Sequence, residues 1–90
     1  MAVLIINEMP GMNQEAYERM HAQLGEPSRN APGFIIHTAG PTDDGWQITE
    51  LWESQQDRDA FFEEHVKPIL PAGGPRPNTT VRQIVSVSQR

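Results

Sequence analysis

Cysteine is absent from the sequence, which removes disulfides, thiolate nucleophiles and Cys-type zinc sites together and leaves the redox compartment unreadable from thiols. Basic residues are scarce: 7 Lys and Arg stand against 12 Asp and Glu, a formal net charge of -5. Charge of that sign is repelled by phosphate backbones and anionic lipid surfaces, so neither nucleic acid nor a membrane is an expected partner. Long apolar runs are missing too. The run Val3 to Ile6 is short and has no Lys or Arg before it, which fits neither a signal peptide nor a membrane span, and a cytoplasmic location is the expectation. The hydrophobic fraction, 37% of 90 residues, is low for a chain that must bury a sheet. One domain over residues 1–90 with a modest core is expected, to which a partner subunit would add.

What the sequence does have is a strongly patterned stretch, G-W-Q-I-T-E-L-W-E-S, residues 45–54. Successive strand side chains alternate, so Trp46, Ile48, Glu50 and Trp52 share one face. Three of these are large and apolar, and that face should be buried. Glu50 is the exception, a carboxylate whose charge is costly there unless it is paired. Ser54 then offers its hydroxyl to the first amides of a helix, with Asp57 at capping-box spacing.

Around this stretch the chain reads as strand, helix, strand, strand, helix, strand. Val3 to Met9 begins apolar on both faces, as a central strand does. Asn7 stands near its exit. Asn13 caps a helix through Leu24 with Ala16, Tyr17, Met20 and Leu24 on one stripe, and Gly25 and Pro27 end it. A loop over 25–33 leads to a strand from Gly33 to Ala39, and residues 40–45 make a hairpin. The second helix runs from Gln55 to Lys67 with Phe62, Val66 and Ile69 at helical spacing, Phe61 and His65 beside them, and Pro68 at its stop. Residues 68–78 are a proline-rich connection. A last strand, Thr79 to Val87, puts Val81, Val85 and Val87 on one face. Right-handed crossovers then give an α+β, ferredoxin-like βαββαβ arrangement, both helices on one side of a four-stranded antiparallel sheet with the first and third strands central. The other sheet face needs a cover, for which a second copy is the simplest candidate.

With W-E-S at Trp52 to Ser54, Phe61 and Phe62 on the helix after it, the G-F-I-I-H strand before it and a proline-rich return, the sequence resembles the dimeric α/β-barrel superfamily. Within that superfamily it is most similar to small proteins of the antibiotic-biosynthesis monooxygenase type. The resemblance implies a homodimeric barrel and a hydrophobic small-molecule ligand, and it assigns the pocket tryptophan of cofactor-free quinone-forming oxygenases to Trp52. The asparagine and tyrosine that accompany that tryptophan are Ile48 and Arg58 here. In haem-degrading relatives the first-strand asparagine matches Asn7 and the helix tryptophan matches Phe61, while the ligand histidine falls near Pro71. No cofactor and no metal are therefore expected.

Two functions follow. One is a cofactor-independent, monooxygenase-like enzyme acting on an aromatic or polyketide-like molecule; the other is a non-catalytic, dimeric binding or accessory protein. The candidate catalytic pair is Glu50 with His37. If the hairpin folds about Thr42 and Asp43, Glu50 faces Ile35, His37 faces Ile48, and the two are diagonal neighbours on the Trp46 and Trp52 face. They would share a proton with a bound phenol or enol, or, in the plainer reading, tie the strands together. Trp46 and Trp52 would wall a site for an aromatic ligand, joined by Asn7, Tyr17, Phe61 and His65. Tyr17 and His21 share one helix face, as do Phe61 and His65, and these histidines read as rim groups. No H-x-H or H-x-x-x-H spacing points to a metal.

Overall fold

The expected alternation over residues 45–52 is realised, with Trp46, Ile48 and Trp52 buried on one side of a strand. The computed structural model describes residues 1–69 and 77–90. Its elements are β1 (Ala2–Pro10), α1 (Gln14–Arg29), β2 (Phe34–Pro41), β3 (Gly45–Trp52), α2 (Gln55–Phe61) and β4 (Asn78–Ile84). A π turn, Phe62–Val66, and a short 3-10 turn, Lys67–Ile69, continue α2. The sheet order is β2-β3-β1-β4, every pairing antiparallel. This is the ferredoxin-like α+β fold, with the first and third strands in the middle. The expected proline-rich connection over 68–78, including Pro71, lies largely outside the described residues.

Both caps form as their sequences dictate. The Asn13 side chain accepts from the Ala16 amide at 2.8 Å, and the Ser54 hydroxyl from the Asp57 amide at 3.1 Å. Each satisfies an amide that the first helical turn leaves without a partner. The other helix ends differ from expectation. Helix α1 passes through Gly25 and Pro27 to Arg29. The Ser28 hydroxyl donates to the Leu24 carbonyl at 2.6 Å, and Asn30 closes the helix by donating its backbone and side-chain N–H to Glu26. Local breakers are thus overridden by side-chain bonds to the last carbonyls. After α2, the Lys67 amide reaches back five residues to Phe62, the bond of a π turn, and Pro68 offers no amide to the ladder. The wide turn changes which residues face inward: Phe61 is buried, whereas Ile69 is 40% exposed. Strand β4 ends at Ile84, so Val85 and Val87 lie beyond it, and Val85 is 92% exposed.

The core sits between sheet and helices. Val3, Ile5, Trp52 and Phe61 form its centre, with Leu24, Phe34, Val66 and Val81 packed on them. On the opposite sheet face Leu4, Ile6 and Leu51 run across the two central strands, and Ile36, beside Leu51, is 47% exposed.

The hairpin register decides what this fold can do. Its turn is centred on Asp43 and Asp44, with the Thr42 amide bonded to the Gly45 carbonyl at 2.9 Å. His37 therefore stands directly across from Glu50, and Ala39 across from Ile48. The pairing differs from the expected one by two residues, which preserves the face but changes the partner. A bulge between Phe34 and Ile36 leaves Ile35 unpaired rather than opposite Glu50. Because of that extra residue, Phe34 and His37 both turn toward the helices.

Gly45 lies where β3 approaches the end of β1. A Cβ at this position would overlap the Met9 carbonyl oxygen and sit 2.8 Å from the Gly11 amide nitrogen. Backbone atoms cannot yield as a side chain does, so Gly45→Ala is expected to cost about 1–3 kcal/mol, the scale of overpacking. Urea unfolding of the variant measures it.

Candidate active site

A cleft opens between the helix-facing side of the sheet and the two helices, with about 80 Å³ of free volume. Met9 and Ile48 line it from the sheet, Met20 and Leu24 from α1, and Phe61, Phe62 and Val66 from α2 and the π turn. Its polar groups are few. Glu50, His37, Tyr17 and His21 gather along one wall, with Asn7 and Arg58 elsewhere on the lining.

The clustered groups form one hydrogen-bonded chain. Glu50 comes from β3, and its Oε1 accepts the Trp52 indole N–H at 3.2 Å. Its Oε2 is 2.8 Å from His37 Nδ1. A carboxylate only accepts, so His37 Nδ1 carries the proton, and in the neutral imidazole Nε2 is left as an acceptor. Tyr17 fills that position: its phenol oxygen is 2.6 Å from His37 Nε2, and His21 Nδ1 lies 3.4 Å beyond it. The His37 and Glu50 side chains are only 19% and 15% exposed, which strengthens each bond relative to one in water. Burial, and next the nearby Glu50 carboxylate, hold the Tyr17 phenol above its ordinary pKa of 10.0. Both causes disfavour a second negative charge in the same place. Among the described residues no group of three or more His, Asp or Glu side chains is arranged to hold a metal ion.

The residues singled out in the sequence fall into three places. Glu50, His37, Tyr17, Asn7 and Phe61 line the cleft. Asn7 accepts from the Thr79 hydroxyl at 2.6 Å, so its carbonyl oxygen is already occupied by a neighbouring strand. Trp52 and Trp46 stand behind the cleft rather than walling it. Trp52 is fully buried, with Phe34 edge-on at 5.4 Å, and serves the site through its N–H on Glu50. Trp46 stacks on Tyr17 at 5.4 Å, and its indole N–H is buried with no hydrogen-bond partner among the described residues. His65 lies outside this cleft. It packs on Phe61 at 5.0 Å and faces a separate surface depression beside Ala31 and Glu64, because the π turn advances the helix face at that point.

Of the lining residues without a site assignment in the sequence, His21 and Arg58 are the ones with titratable side chains. His21 was legible only as a neighbour of Tyr17 one helical turn away, and nothing local tells that Tyr17 meets His37. Arg58 reaches the lining with its guanidinium 5.0 Å over the Phe62 ring, bonded to Asp59 at 3.2 Å.

Tyr17 is the sole tyrosine, so its ionisation can be followed directly by ultraviolet absorbance. The phenol should titrate above 10.0, and Glu50→Gln should bring it down toward that value by removing the nearby charge. The folded protein keeps this proton where the unfolded chain has lost it. Stability from this group is therefore complete below the unfolded pKa and declines as pH rises through the folded one, and denaturation at graded alkaline pH reads that slope.

No family model and no curated protein matches the sequence. Among solved structures the chain is similar to Rv0793 from Mycobacterium tuberculosis, with 17% identity, 98% of each chain covered and a TM-score of 0.65. At that identity the likeness is one of fold.

Proposed function

We propose that the chain is an enzyme of the antibiotic-biosynthesis monooxygenase type, acting without organic cofactor or metal on a hydrophobic aromatic or polyketide-like phenol or enol. The observation that carries this reading is the chain Tyr17–His37–Glu50, with its two short bonds of 2.6 and 2.8 Å, set in the wall of an apolar cleft. Its logic is that of a nucleophile–imidazole–carboxylate triad with a phenol as the terminal group. A ligand hydroxyl or acidic C–H beside Tyr17 gives its proton to the phenol oxygen while the phenol proton passes to His37 Nε2. The imidazolium so formed is held against the Glu50 carboxylate. The Tyr17 phenol is protonated at neutral pH, as any phenol titrating at or above 10.0 is, so it accepts the ligand proton only as it passes its own to His37. Arg58, on the cleft lining, supplies positive charge for the ligand anion. That anion adds through carbon to molecular oxygen, which is the oxidant; the peroxide formed takes up a proton and loses water, so that a carbonyl replaces the two substrate hydrogens. The apolar lining supports the substrate class, since it offers contact area and few competing donors.

A second copy completes this reading. Leu4, Ile6, Leu51 and Ile36 make the uncovered sheet face apolar, and a barrel formed with an identical chain would cover it. Light scattering at micromolar concentration should give twice 10.1 kDa; a stable monomer would remove the barrel from the proposal.

One observation favours the second reading, a binding protein without turnover: both Glu50 oxygens already hold protein donors. A thermal-shift panel of phenols, anthrones and haem, followed by assays of oxygen uptake on the ligands that stabilise the protein, separates the two. Stabilisation without turnover selects the binding protein.

Glu50→Gln is the decisive variant. A glutamine presents one acceptor and one donor where the carboxylate presents two acceptors. If its amide N–H meets His37 Nδ1, the imidazole must carry its proton on Nε2 and can no longer accept from Tyr17, the wrong-tautomer defect known for triads. Turnover should fall by about a hundredfold or more. Circular dichroism should show the variant folded, because removing a partly buried charge also relieves desolvation. Unchanged turnover would take Glu50 out of the mechanism.

A further inference from the structure

His37 must give up the proton it has taken before the next turnover, and α1 offers a route from it to solvent. We propose that His21 is a proton-relay residue, passing the proton from Tyr17 to solvent, and that Gly25 is retained within the helix to give its ring room. The proposal rests on the acid–base reading above and adds the path that resets it.

Tyr17 and His21 stack at 5.5 Å, and His21 and His37 lie 5.3 Å apart, ring centre to ring centre. The phenol oxygen thus sits between two imidazole nitrogens, 2.6 Å from one and 3.4 Å from the other. Tyr17, His21 and His37 line the ligand cleft and also a shallower depression between α1 and β2, open to the surface. They are the wall that the two spaces share. His37 and Tyr17 are partly buried whereas His21 is exposed, so the chain runs from the sheltered side outward.

The second observation is Gly25. It lies inside α1 and is buried, although glycine within a helix costs about 1 kcal/mol relative to alanine. No left-handed backbone requires it there. A Cβ at this position would sit 3.1 Å from His21 Nε2 and 3.2 Å from Cε1, with Arg29 Nη1 at 3.4 Å. The missing side chain is space that the His21 ring uses. Around that ring stand Tyr17 and Arg29 of α1 and His37 of β2, with Glu50 of β3 behind His37.

The relay balances. With His37 protonated, Nε2–H donates to the Tyr17 oxygen as the phenol O–H passes to His21 Nδ1. His21 then loses the proton on Nε2 to water. Neutral His37, a protonated phenol and a neutral His21 remain, and exchange with solvent restores the starting tautomer.

Two measurements test this, one of them independent of turnover. In nitrogen-detected NMR of the wild-type protein, His21 Nδ1 should show the chemical shift of a hydrogen-bonded ring nitrogen, and Tyr17→Phe should remove it. A His21 Nδ1 signal unchanged in Tyr17→Phe means that the two groups share no hydrogen bond and overturns the relay, whatever the protein turns over. In a ligand-turnover assay, His21→Ala should lower kcat by about tenfold to a hundredfold with KM unchanged, and added imidazole should restore it. His21→Phe keeps the stacking ring and should be equally slow but resist rescue. Wild-type kcat in His21→Phe overturns the proposal, as does a loss in His21→Ala that appears in KM alone.

Discussion

The contact between His37 and Glu50 across the β2–β3 hairpin is the constraint from which the site is assembled. It exists because the turn closes on Asp43 and Asp44, and beyond it the bulge at Ile35 returns Phe34 to the helix side. Strict alternation would put Phe34 and His37, three residues apart, on opposite faces. With the bulge, Phe34 packs edge-on against Trp52 while His37 meets the carboxylate two residues before that tryptophan. One extra residue thus joins an apolar contact and a polar one on the same stretch of sheet. Tyr17 then fastens α1 to both strands through His37. Bonds to a charged group contribute about 1.5–3 kcal/mol, and losing one partner exposes the full desolvation cost of the other. The chain therefore fixes geometry strongly even where its net contribution to stability is modest.

The space under the helices is divided by this chain. Toward one end Val3, Ile5, Trp52 and Phe61 make a small apolar core; toward the other, an acid, an imidazole and a phenol are partly buried. A chain of 90 residues has little apolar surface to spare, and such a division leaves a cleft where a larger core would have closed. Trp52 links the halves, since its ring belongs to the core and its N–H to Glu50. Burial that would otherwise penalise the carboxylate is compensated by two donors, and the same burial, with the negative charge, keeps the neighbouring phenol protonated.

Much of this was legible in the sequence. Element order, the central strands and both helix N-caps follow from alternation and from Asn13 and Ser54. That Glu50 shares a face with Trp46, Ile48 and Trp52 follows from the same rule. What local pattern could not fix was register. T-D-D-G offers two neighbouring turn centres, which differ by two residues in pairing and leave every face unchanged, so the face of His37 was readable while its partner was not. The bulge has no signature in G-F-I-I-H. Gly25 and Pro27 read as a helix end because their local preference is strong, yet Ser28 and Asn30 carry α1 on to Arg29. Spacing pointed to Phe62 and Ile69, but the π turn made Phe61 the buried aromatic and took His65 to another surface. Tyr17 was placed correctly on its stripe; its bond to His37 spans twenty residues of sequence and is a property of the docked helix alone.

The likeness to a solved structure at 17% identity extends over nearly the whole chain, whereas the hydrogen-bonded chain in the cleft draws on side chains from three elements. The two facts are compatible because the backbone arrangement requires only the alternation and the caps. Position 58, on α2, holds an arginine, and the phenol that reaches the cleft comes from α1. Both helices cover the same sheet face, so a functional group can be supplied from either without altering strand order or register. What cannot be moved so freely is its partner. A phenol on α1 meets an imidazole only if β2 turns His37 inward, and that imidazole presents an acceptor nitrogen only if β3 sets a carboxylate on its other side. The fold therefore permits many sites, while the bulge, the turn and the Glu50 position together select this one.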